Sequence, residues 1–132
     1  MIRLRIVATG EIDARVQQFV LRYIDSLEQL EVLLLLRSRA DRTWTAAEVS
    51  KELRTAERSA GVRLASLAAA GLLKEDPPGA YRYAPRTGDL DVAAGELAEA
   101  YAVRRIAITN LIFSRPLDQV RTFADAFKIV ED

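Results

Sequence analysis

Cysteine and histidine are both absent from the 132 residues. Without thiols there is no disulfide, no thiol nucleophile and no thiolate metal site. Without imidazole, the usual general base and the commonest metal ligand are missing as well. No phosphate-type glycine loop and no metal-ligand cluster stands out, so neither a cofactor nor a metal is expected. Two carboxylate pairs, Asp89/Asp91 and Glu96/Glu99, are what remains for catalysis. The first reads as helix-start acids favoured by the dipole, the second as a solvated helix face. The expectation is a protein that is not an enzyme.

Net charge is also missing, because nineteen cations and nineteen anions cancel. No global field draws this chain onto nucleic acid. Long apolar runs are absent too. The longest, at 32–36, is far below the ~18–20 residues of a membrane span. The N-terminal MIRLRIVATGE has too short an apolar run for a signal peptide. A bacterial-type cytoplasmic location is the resulting expectation.

What the chain does have is the profile of a folded domain, with 50% hydrophobic and 29% charged residues. At this length it forms one domain with a modest core. Its central stretch, 45–83, contains ordered local signals. Thr45 with Glu48 is a capping box, and Trp44 with Val49 occupies the two staple positions. Val49 and Leu53 make the inward stripe of the helix that follows. A second helix is expected from a Thr55 cap, with Glu57 in its first turn. On it Ala60, Leu64, Leu67, Ala68 and Gly71 share one side. Thr55, Arg58, Ser59, Val62, Ser66 and Ala69 share the other, with Arg63 at the flank. Gly71 supplies a left-handed helix end. Leu72 and Leu73 then open a strand, Asp76-Pro77-Pro78-Gly79 turns it, and Tyr81-Arg82-Tyr83 returns.

Around this stretch the chain is read as helices. Residues 1–7 alternate as a short strand would, with a disordered tail as the equal alternative. Ile12, Val16, Phe19, Val20, Tyr23 and Ile24 recur at helical spacing. Ser26 and Gln29 form a second capping box, opening a core helix through Leu33 and Leu34 to Arg37. Thr87 to Asp89 cap one long helix running to about Phe113, with Leu90, Ala94, Leu97, Tyr101, Arg104, Ile108 and Leu111 as a heptad-like stripe. Pro116 breaks it, and Val120, Phe123, Ala124 and Phe127 face one way on a final helix at 117–128. Leu33, Leu34, Trp44, Val49, Leu53, Leu64, Leu67 and Leu72 are expected to meet in one cluster.

The succession of capped helix, turn, second helix ending AAGLL and hairpin ending YRY resembles a winged helix-turn-helix over residues 27–85. It is similar to small bacterial transcriptional regulators of the MarR, PadR and ArsR types, although the metal-binding Cys and His of the ArsR pattern are absent. The fold class expected is mainly α with a small β-hairpin wing, a winged helix-turn-helix plus flanking long helices. The segments are 1–25, the module 26–86, and the C-terminal helices 87–132. The resemblance implies sequence-specific binding of double-stranded DNA, with the helix at about 56–70 in the major groove. Arg58, Ser59, Val62 and Ser66 would meet base edges, and Arg63, Lys74 and Arg82 phosphate, with Thr55 beside them. The module carries ten cations and eight anions, a mild basic bias.

The resemblance also implies a homodimer through helices outside the module. Leu90, Leu97, Tyr101, Ile108, Ile112 and Phe113 are the expected contact residues. The alternative is that the helix at 12–24 covers this surface within one chain. A second functional class, a winged-helix protein–protein adaptor that does not bind DNA, is motivated by the neutral charge and the acidic Glu75-Asp76 in the wing.

Overall fold

The computed structural model describes residues 12–114. The strand expected at 1–7 and the helix expected at 117–128 lie outside the described residues. The chain is mainly helical, with a small three-stranded antiparallel sheet. In order it forms α1 (Ala14–Tyr23), α2 (Leu27–Ser38), β1 (Trp44–Thr45), α3 (Ala46–Leu53), α4 (Glu57–Ala69), β2 (Leu73–Glu75), β3 (Ala80–Tyr83), α5 (Gly88–Val103) and α6 (Arg105–Ser114).

Local chemistry sets most of these boundaries. The α3 capping box is made in both halves: Glu48 N–H donates to Thr45 Oγ1 at 3.2 Å, and Thr45 N–H donates to Glu48 Oε1 at 3.0 Å. Trp44 and Val49 are buried on either side of it, as a staple requires. The box expected for α2 is only half made. Gln29 N–H donates to Ser26 Oγ at 3.0 Å, but the Gln29 side chain donates instead to the Tyr23 carbonyl at 2.8 Å. The amide is almost fully buried and satisfies the end of α1, which a side chain turned toward solvent could not do.

The junction of α3 and α4 departs from the sequence reading. Thr55 does not cap α4; the cap position is Ala56, with no side-chain hydrogen bond. Arg54 closes α3 in a left-handed conformation, φ 58°. At its far end α4 finishes as expected. Gly71 has φ 89°, Leu72 N–H donates to the Leu67 carbonyl and Gly71 N–H to that of Ala68, both at 3.0 Å. That is a Schellman end, which a glycine accommodates without Cβ strain.

The sheet order is β1-β3-β2. β1 was not visible in the sequence; two residues are too few for alternation to register. Trp44 pairs with Tyr81, and β2 and β3 pair Leu73 with Tyr83, Lys74 with Arg82 and Glu75 with Tyr81. The strand exit is tied back to the end of α4. Arg86 N–H donates to the Gly71 carbonyl at 2.7 Å, and Ala84 N–H donates to that of Leu72 at 3.1 Å.

One core joins all the helices. Leu33, Trp44, Val49, Leu64, Leu67 and Leu72 are buried within it, and Leu34 and Leu53 pack partly buried against it. α2 is covered on several sides, by α3, α4, α6 and β3. The single long helix expected to reach Phe113 is instead two, because Arg104 leaves the helical conformation (φ −127°, ψ 55°). The break sends α6 back onto α1 and α2, while α5 lies along α1. Among the described residues no helix is long and apolar enough to cross a membrane.

Candidate nucleic-acid interface

α4 divides its polar residues between two directions. Ala60, Leu64 and Leu67 are buried against the core, which fixes its rotation. On the opposite arc Arg58, Val62, Ala65, Ser66 and Ala69 are exposed, Val62 to 56%. This arc carries one cation, three small or hydroxylated side chains and no acid. Among the described residues, Arg58 has no ion-pair partner.

The row Thr55, Ser59 and Arg63, one helical turn apart, points instead toward α2. All three donate to a single carboxylate. Thr55 Oγ1 hydrogen-bonds Glu28 Oε2, Ser59 Oγ donates to Glu28 Oε1 at 2.5 Å, and Arg63 Nε donates to the same oxygen at 3.1 Å. Arg63 Nη1 lies a further 3.5 Å from Asp25 Oδ1. Burial works to raise the Glu28 carboxyl. The hydrogen bonds from Ser59, Thr55 and Arg63, with the Arg63 charge, outweigh it and hold the group below the usual carboxylate range. Of the eight residues expected at DNA, these three are therefore engaged within the folded chain. Arg58, Val62 and Ser66 are not.

The hairpin brings Lys74 and Arg82 directly opposite each other, both exposed and both without an ion-pair partner among the described residues. Of the two wing acids, Glu75 does not sit with them. Glu75 belongs to the other face of the hairpin, where its carboxylate accepts the Gly79 N–H at 2.9 Å. Burial and the neighbouring Glu75 raise the Tyr81 hydroxyl. Tyr83 is pushed up to about 12, first by burial and then by its hydrogen bond to Asp91, with the Arg37 charge opposing.

The expected dimer surface is largely internal. Leu97, Tyr101, Ile108 and Ile112 are buried in the single-chain core, because α1 covers α5 and the break at Arg104 folds α6 inward. Of the six residues, Leu90 is half-buried and Phe113 is 69% exposed. Val103 and Ile106 are also exposed, on either side of the break. Both carboxylate pairs have structural partners: Asp91 accepts from the Tyr83 hydroxyl at 2.7 Å, and Glu96 pairs with Arg15 at 2.9 Å.

Two residues at this surface escaped the sequence reading. Glu28 sits in the first turn of α2, where an acid is ordinary. Nothing local signals a partner 27 to 35 residues away. Arg54 is exposed in the α3–α4 turn. Its left-handed conformation was not legible, because such positions are most often glycine or asparagine. No family model, curated protein or solved structure matches this chain.

Proposed function

We propose that residues 26–86 are a winged helix-turn-helix that binds double-stranded DNA, and that the chain acts as a transcriptional regulator. The observation that carries this reading is the exposed arc of α4. A helix whose outer side is Arg58, Val62, Ala65, Ser66 and Ala69 has the small profile and single strong donor that suit a major groove. The order of elements supports it: α2, β1, α3, α4, then the hairpin whose second strand pairs with β1. Lys74 and Arg82 add two cations on one face of that hairpin.

In this reading Arg58, Val62 and Ser66 meet base edges, while Lys74 and Arg82 meet phosphate. Ser59 leaves the base-contacting set, and Thr55 the residues beside it, because Glu28 holds their hydroxyls. A second copy on a palindromic site would have to use surface other than Leu97, Tyr101, Ile108 and Ile112. The test begins with selection of genomic fragments by the full chain and measurement of binding to the best one. Arg58→Ala should cost about 1–3 kcal/mol there and relax preference at one position. Binding no better than to random DNA, or an Arg58 variant that binds like wild type, rejects the reading.

A protein–protein adaptor is the second reading. It is favoured by one observation: Asp25 and Glu28 bring two acids to the edge of α4, against the single Arg63. An adaptor would retain no DNA in the selection at any salt concentration.

A further inference from the structure

Two hydroxyls and a guanidinium converging on one pair of oxygens form the donor set of an oxyanion site. Thr55, Ser59 and Arg63 provide it, from successive turns at the edge of the exposed arc of α4. Its present occupant is a carboxylate from α2, and the side chains of Glu28 and Arg63 are each only about three-quarters covered. The outer side of the site therefore reaches solvent on the same surface as Arg58 and Ser66.

We infer that the Thr55–Ser59–Arg63 row is a site for a DNA backbone phosphate, and that Glu28 fills it in the free chain as an intramolecular competitor. The inference rests on the DNA-binding reading. A phosphate has the same need as the carboxylate: several donors and one cation within hydrogen-bonding reach. A duplex seated on Arg58, Val62 and Ser66 lays its backbone along the flanks of α4, and Arg63 is on one flank. While Glu28 is ionised and in place, that flank presents Asp25 and Glu28 against one arginine, and an approaching phosphate is repelled.

The experiment is a salt titration of the full chain on a labelled mixed-sequence duplex, with wild type, Glu28→Gln, Arg63→Gln and the double variant. Glu28→Gln keeps one oxygen, which can accept from Ser59 or from Thr55, and replaces the other by an amide NH2 while removing the charge. It should tighten binding about threefold to tenfold at low salt and steepen the salt slope by about 0.9, as one more phosphate is engaged. Arg63→Gln in the wild-type chain should change little, because that cation is already held. In the Glu28→Gln chain the same substitution should return affinity and slope to wild type. A purely structural clamp gives none of this interdependence.

A wild type that binds while Glu28→Gln binds no tighter overturns the inference and leaves the DNA reading standing. Loss of binding by Arg63→Gln alone overturns it as well, and that arm is readable even if Glu28→Gln does not fold. Binding by neither wild type nor Glu28→Gln rejects both. Thermal unfolding with inorganic phosphate separates the sources of the anion. A phosphate-dependent rise in Tm of Glu28→Gln, without tighter DNA binding, would assign the row to small anions rather than to a DNA backbone phosphate and overturn the inference.

Discussion

Lys74 and Arg82 stand directly opposite each other across the β2–β3 hairpin, two like charges in register on its outward face. Like charges directly opposite each other destabilise a hairpin. An anion between the two side chains would reverse the sign. Lys74→Ala or Arg82→Ala should therefore leave the fold unharmed or slightly more stable, while weakening all DNA sequences alike. The salt slope should fall by about 0.9 for each. Chemical denaturation and a salt titration on the same preparations check both halves.

Leu64 and Leu97 should behave alike on truncation. Both are fully buried, one under the exposed arc of α4 and the other between α5 and α1. Replacement of either by Ala should cost about 2–5 kcal/mol. For Leu97 the decisive feature is concentration. Its cover comes from the same chain, so the loss measured by urea unfolding should not change across a wide dilution series. A loss that grows on dilution would place Leu97 at an interface between copies.

Gly71→Ala should cost about 1–2 kcal/mol, the cost of placing an L side chain in the left-handed region. A Cβ there would also lie 3.0 Å from Cζ of Arg86, which would have to swing away. Arg86→Ala in the glycine background separates the two contributions. If Gly71→Ala leaves Tm unchanged, the Schellman end is not contributing as described.

Tyr83 and Glu28 contribute to the stability profile with opposite signs. Tyr83 keeps its proton in the folded chain up to about 12, whereas an unfolded tyrosine loses it near 10.0. The unfolded state then binds fewer protons, so stability falls as pH rises through that interval. Glu28 has the opposite sign. Its lowered folded value means a contribution complete above the ordinary 4.5 and lost as pH falls below it. Denaturant midpoints measured against pH should lose part of the alkaline slope in Tyr83→Phe and part of the acid slope in Glu28→Gln.

The short-range chemistry of this chain was legible in its sequence, and the long-range chemistry was not. Thr45 with Glu48, Trp44 with Val49, and Gly71 act within a few residues of themselves. Their residue types carried the geometry. The phase of α4 was legible for the same reason, since Ala60, Leu64 and Leu67 repeat at its period. Thr55 was misread because a hydroxyl just before a helix ordinarily caps it. Here the helix starts one residue later, with Ala56 at the cap position, and the Thr55 hydroxyl donates to Glu28 across the fold. The break at Arg104 has no proline or glycine to announce it. The heptad stripe at Leu97, Tyr101 and Ile108 was read correctly as apolar. A stripe states that something covers it, not whether the cover comes from the same chain.

The ties from Arg86 to Gly71 and from Ala84 to Leu72 have a consequence for motion. They join the chain leaving the hairpin to the last turn of α4, so neither can open without breaking the other's bonds. Amide exchange at Arg86 and Ala84, though they lie outside any helix or strand, should then be as slow as at Leu72. The hairpin and α4 would respond to a load as one piece. Thr87, next in the chain, caps α5, so a load on Lys74 or Arg82 would be expected to reach the start of that helix.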